Sequence, residues 1–311
     1  MSESPTAGPA PATGSRDERS ANEGRDETDA AVEERPAKAE TDGEFWKLVC
    51  RRRDVNLTAV ALEIARDHDP AFDPTDTVRW LKARAVEARG PVAAAPDGRA
   101  ALTALADVLC GEHELCGGEA AFDDPAGSLI HKVIETGAGL PILLSLIYMD
   151  VARRVGLELV GVNAPHHFLT RLDTAAGPLF CDPYHGGRVM NADEAVEFLM
   201  ERCDLAPAEI ADSLHPAPPR AIVVRVLNNL KAIHARRGDW NAAWTVQTRI
   251  SALCPADYTE RRDLALIALH AGRAGQAVDL LTALLPDAPT AEKPVLKRHL
   301  SRAVAQVSKW N

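Results

Sequence analysis

The strongest constraint on this chain is a period of 34 residues near its end. Leu230, Ile233, Gly238, Ala243, Val246, Ile250 and Pro255 recur as Leu264, Ile267, Gly272, Ala277, Leu280, Leu284 and Pro289. Apolar residues three and four apart mark one face of a helix, and the glycine marks the turn that follows. A small residue at the helix crossing and a proline after the second helix complete a pair of antiparallel helices. Such pairs bury their apolar faces only by stacking, so two repeats leave one face open. Residues 290–310 are expected to close it as a capping helix.

Composition sets the opposite end apart. The first 43 residues hold 11 acidic and 5 basic side chains, which is −6 of a formal net charge of −10. Val32 is their one branched apolar residue. They cannot bury enough surface to offset the entropy of ordering, so residues 1–43 are expected to form a disordered acidic tail. The remainder carries no basic stripe, which argues against nucleic acid as a partner. The start Met1-Ser2-Glu3-Ser4-Pro5 lacks the basic and apolar run of a secretory signal. The longest apolar run, residues 140–149, is too short for a bilayer. Six cysteines without a C-x-x-C pair read as reduced thiols in a cytoplasmic protein.

Between these ends the pattern changes twice. Leu57, Val60, Ala61, Ile64 and Ala65 share a helical face, and Asp73-Pro74-Thr75-Asp76 looks like a helix start. A break rich in Gly, Pro and Ala is expected over residues 90–98, followed by a helix holding Ala101, Leu102, Leu105, Val108 and Leu109. Residues 44–118 therefore read as a helical subdomain. Residues 142–155 are apolar nearly all round, as in a helix at the centre of a domain. Strand-like runs follow at residues 159–162, 168–172 and 179–181, with a turn over 173–178 between the last two. Residues 186–190 continue as a turn and short strand, and Asn191-Ala192-Asp193-Glu194 starts another helix. The expected fold is α+β. A core over residues 119–215 joins the helical subdomain in one domain of 44–215, and the repeats and cap fill 216–311.

One arrangement carries chemistry. In a Cys-His-Asp site the thiol stands at a helix N-terminus, the His takes its proton and the Asp orients the imidazole. Here a central helix is followed by a strand expected to hold His167 and a strand ending in Asp182. The start of that helix reads Gly139-Leu140-Pro141, without a cysteine.

These residues resemble a known family. Asp123-Asp124-Pro125, Gly139-Leu140-Pro141-Ile142, residues 151–157, His167-Phe168-Leu169, and Asp182-Pro183 followed by Gly186-Gly187-Arg188 are similar to bacterial SirB-type transglutaminase-like proteins. Leu227-Asn228-Asn229-Leu230 and Arg237-Gly238-Asp239-Trp240 resemble their tetratricopeptide tail. The likeness covers roughly residues 45–290 and implies a papain-like or transglutaminase-like core with a small antiparallel sheet. It places the nucleophile position on Pro141, with His167 and Asp182 as the remaining catalytic pair. The family pattern has Gly-Asn-Pro at the helix start and Gly before the His. This chain has Leu140 for that Asn and His166 for that Gly.

Substitutes for the thiol are few. Ser145 lies one turn beyond Pro141 on the same face, where a serine hydroxyl usually bonds a preceding carbonyl. Cys181 adjoins Asp182, but strand neighbours point to opposite faces, so it reads as a small buried residue. Cys110 and Cys116 reach the site only through an unforeseen loop. A metal set of His166, His167, Asp182 and His185 is disfavoured, because adjacent histidines on a strand cannot face one ion. No metal and no cofactor are expected. The leading expectation is a non-catalytic transglutaminase-like protein that binds a protein partner through its repeats. The alternative is a hydrolase or acyl transferase using His167 and Asp182 with Ser145, water or a substrate group. A third reading is a small-molecule site in the old cleft.

Overall fold

A computed structural model describes residues 43–309. The acidic stretch before Gly43 and the end of the expected cap at Trp310 lie outside the described residues. Four helices come first: α1 (Gly43–Val49), α2 (Leu57–His68), α3 (Thr75–Ala94) and α4 (Gly98–Ala106). Asn56 caps α2 by accepting the Ala59 N–H, and Val60, Ala61, Ile64 and Ala65 fill its buried face. The break expected at residue 90 is displaced. Helix α3 runs through Gly90 and Pro91 to Ala94, because Leu81, Ala85, Ala88 and Val92 form one buried stripe across them. Packing of that stripe overrides the local cost of a proline inside a helix.

After α4 the chain makes a π-helical turn, Asp107–Glu112. A two-residue strand β1 (Cys116–Gly117) then pairs in parallel with β2 (Ala138–Gly139). Between them lie two 3₁₀ turns and α5 (Ile130–Thr136), which sequence periodicity did not reveal. Seven residues give too few turns for a period to show. The subdomain expected to be wholly helical up to residue 118 thus ends in a strand.

Helix α6 (Pro141–Arg154) is the central one, with Ile142, Leu143, Ile147, Val151 and Ala152 each at most 1% exposed. Proline suits its first turn, where the N–H has no helical partner. Four strands follow as an antiparallel meander: β3 (Val160–Val162), β4 (Leu169–Thr174), β5 (Gly177–Asp182) and β6 (Arg188–Met190). The β4–β5 turn is tighter than expected, with Thr174 opposite Gly177 and only Ala175 and Ala176 between. Leu172 and Cys181 pack into the core built around α6. Leu169, Phe180 and Met190 form a second cluster with α7 (Ala192–Met200) and α8 (Pro207–Ser213). The sheet is therefore covered on both faces. Asn191 and Glu194 close a capping box at the start of α7.

The C-terminal part consists of α9 (Pro219–Arg237), α10 (Trp240–Leu253), α11 (Tyr258–His270), α12 (Ala274–Leu284) and α13 (Lys293–Val307). The period of 34 is visible in the backbone, since Gly238 and Gly272 turn their chains with φ of 72° and 73°. The first helices of successive pairs are joined by a half-buried ionic ladder. Lys231 on α9 reaches Glu260 and Asp263 on α11 at 3.0 Å each. Arg262 reaches Glu292, at the start of α13, at 3.4 Å. Helices α9 and α10 also share the main core, through Ile222, Val226, Leu227, Leu230, Ile250 and Leu253. Arg249 of α10 pairs with Asp67 and stacks over Phe45, 4.5 Å from the ring centre. Helices α11 to α13 instead close separate small clusters.

Candidate functional site

Asp182 ends β5 and opens a 3₁₀ turn, Pro183–His185. Its Oδ1 accepts the backbone N–H of Tyr184 at 3.0 Å and of His185 at 3.4 Å. Its Oδ2 lies 2.6 Å from Nδ1 of His185, in hydrogen-bond geometry. The turn then needs two left-handed residues, Gly186 and Gly187, with φ of 71° and 75°. At Gly187 a Cβ would fall 2.3 Å from the Cβ of Ala106, so only glycine fits against α4.

His167 is not on a strand. It follows a turn at Pro165 and His166 and stands two residues before β4, held by its N–H on Ala164 O at 3.2 Å. Its Nε2 lies 2.9 Å from Oδ1 of Asp182. That distance is an ion-pair contact between two buried groups, and Nε2 has no other partner among the described residues. The rings of Tyr184, His185 and Phe198 surround it at 5.5–6.1 Å between centres. Asp182 is fully buried and His167 is 5% exposed. Burial alone would raise the Asp182 pKa. The approach of His167, and then of His185, outweighs it and holds the carboxyl below its usual value.

The expected pair is thus brought together, with an unexpected third member in His185. Pro141 occupies the first position of α6 and is buried. Ser145 is wholly buried, and its Oγ bonds nothing, contrary to the expected bond to a preceding carbonyl. Neither residue forms a described hydrogen bond or ion pair with His167 or Asp182. Cys181 points to the other face, as strand alternation requires, and its Sγ donates to Gly187 O at 3.5 Å. Burial first, then the charge of Asp182, pushes its thiol far up. Cys110 does approach this turn, with Sγ 3.7 Å from where a Cβ on Gly186 would stand, because the π-helical turn carries it there. Burial and then Cys116 raise its thiol as well, so it is not activated.

One polar residue escaped the sequence reading. Tyr148 shares the α6 face of Pro141 and Ser145, and its hydroxyl is buried without a partner. Burial foremost, then the nearby Cys181, Cys110 and Asp182, pushes it well above its usual pKa. The available signal was a lone polar-tipped ring in an otherwise apolar helix.

Comparison with known proteins agrees with this architecture. The family model of the transglutaminase-like superfamily matches residues 75–228, and a tetratricopeptide repeat model matches residues 230–306. A UPF0162 protein of Xylella fastidiosa (strain 9a5c) is 34% identical over 259 residues, 78% of this chain and 88% of that protein. The UPF0162 protein PA3419 of Pseudomonas aeruginosa is 31% identical over 248 residues, 78% of this chain and 83% of the relative. F-box only protein 21 of Mus musculus is 25% identical over 139 residues, which is 44% of this chain and 22% of that protein. No solved structure matches. Among the described residues no helix is long and apolar enough to cross a membrane. With a transglutaminase-like core, a tetratricopeptide tail and these full-length relatives, the chain belongs to the UPF0162 family of bacterial SirB-type proteins.

Proposed function

We propose that this protein is a non-catalytic transglutaminase-like scaffold that holds a protein partner on its helical repeats. The observation that supports this reading is that α6 starts with Pro141 and no cysteine, at the place where the resemblance puts the nucleophile. The cysteines that approach the pair support it, because Cys181 and Cys110 are held as thiols. Asp182 has other work, capping a turn and pairing with two histidines. Tetratricopeptide repeats generally mediate protein–protein interaction, and the ladder along α9, α11 and α13 fixes the packing of the helices that would present such a surface. Six unpaired cysteines suit a reduced cytoplasmic setting.

Deleting residues 216–311 is the obvious test of the repeats, but α9 and α10 belong to the main core, so the remainder would not fold. The test uses the full chain with a photo-crosslinking side chain at Ala235, one turn beyond Lys231, and a control at exposed Glu201. Crosslinking in cells should give one abundant protein adduct at 235 and none at 201. An identical adduct pattern at both positions rejects the repeats as the docking face. A screen of amide, ester and transamidation substrates tests the chemistry separately. Turnover lost in His167→Ala would reject the non-catalytic reading.

A further inference from the structure

We propose that His167, Asp182 and His185 form a binding site for a divalent transition-metal ion, with zinc as the cation that suits their two nitrogens and one carboxylate. The sequence disfavours a metal on two grounds, the adjacent His166 and His167 on one strand and no H-x-x-x-H or C-x-x-C spacing. Neither is on a strand, and His166 is exposed on a left-handed turn with φ 52°. The 3₁₀ turn after Asp182 supplies His185 in its place. One ligand atom from each of His167, Asp182 and His185 lies within 4.8 Å of the other two.

Four features make this a built site. The first is the buried Nε2 of His167, which meets the Asp182 carboxylate at 2.9 Å and has no other described partner. The second is spacing, since ligands about 2.1 Å from zinc and 90–109° apart stand about 3.0–3.4 Å from one another. The observed separations, 2.9 Å from His167 Nε2 to Oδ1 and 2.6 Å from His185 Nδ1 to Oδ2, lie a few tenths of an ångström inside that range, with the two nitrogens on different oxygens of the carboxylate. The third is support from behind. The backbone N–H groups of Tyr184 and His185 hold the Asp182 carboxylate, and the rings of Tyr184 and Phe198 screen the histidines. The fourth is an entrance, for the His185 side chain is 41% exposed while Asp182 is fully buried. Three protein ligands with one open side leave a position for water. Magnesium and calcium prefer all-oxygen shells and should bind poorly here. A second group, Glu87, Glu112 and His113, has no comparable case. It is largely exposed, and Arg84 and His113 already occupy the Glu87 carboxylate at 2.6 and 2.8 Å.

The proposal stands apart from partner binding by the repeats. Its test is calorimetric titration of the untagged, chelator-stripped full chain with zinc chloride, and with magnesium chloride as control. Wild type should bind one equivalent of zinc and melt at a higher temperature as zinc is added. His185→Ala, at a half-exposed position, should keep the fold by circular dichroism. It should weaken zinc binding by about tenfold or more, since even outer-shell changes cost that much. His166→Ala should bind as wild type does. Cobalt(II) in place of zinc gives a visible absorption band that His185→Ala should diminish. No saturable zinc binding, an unchanged affinity in His185→Ala, or an equal loss in His166→Ala would overturn the site.

Discussion

His166 holds a left-handed backbone, with φ 52°, directly before His167. A non-glycine residue there costs about 1–2 kcal/mol, partly offset by the lower unfolded-state entropy relative to glycine. His166→Gly should therefore stabilise the protein by about 0.5–1 kcal/mol, or about 2 °C in melting temperature for a domain of this size. A melting temperature that stays level or falls would remove the strain argument. Asp182 behaves oppositely. Removing it in Asp182→Ala strips a turn cap and leaves two histidines beside an empty buried site, so the loss should reach about 3–5 kcal/mol by urea denaturation. Asp182→Asn keeps an acceptor for the turn and should lose less. At this scale the sequence revealed His167 and Asp182, because their order along the chain and their distance from a central helix survive without coordinates. His185 was legible only as a nearby histidine. Two left-handed glycines and a 3₁₀ turn bring it back onto Asp182, and no periodicity encodes that path.

Long periodic helices are legible in the sequence, and short or interrupted elements are not. Helices α2, α6, α9 and α11 declare themselves by buried residues three and four apart, whereas α5 is too short to do so. At Gly90 local propensity predicts a break, but α3 continues because the buried stripe extends beyond it. The repeat turns offer a direct test of the period. Gly238 and Gly272 both close their helices with positive φ, so alanine at either should cost about 1 kcal/mol by strain in the same conformation. Near-equal losses in urea midpoints are expected from the two variants. A loss at one and none at the other would show that the turns are not equivalent.

For the molecule as a whole, the sequence placed the boundary at a proline-rich connector, while burial runs straight across it. Because α9 and α10 share the main core, tryptophan fluorescence and circular dichroism should report one urea transition for the main core and these two helices. Acidity provides a second probe of this junction. His234 of α9 is 3% exposed, and burial first, with His68 and Arg237 behind it, holds its pKa below 6.5 against the pull of Asp239. Burial likewise lowers His131. Below about pH 6.5 the unfolded chain takes up protons that the folded chain resists, so stability is full above that value and falls as pH drops through the window beneath it. The urea midpoint at pH 5.5 should lie below that at pH 7.5, and His234→Gln should narrow the gap. Equal midpoints in wild type would exclude these buried histidines as the cause.

The shared core also fixes where this protein can be taken apart. A chimaera that exchanges the tail at the prolines around residue 218 would tear Leu227, Leu230 and Ile250 out of the domain that needs them. An exchange after Leu253 would spare that core, at the expense of the pairs from Lys231 to Glu260 and Asp263. What can be grafted or diversified is thus the outer half of the array, while its inner half is bound to change only in step with the transglutaminase-like body.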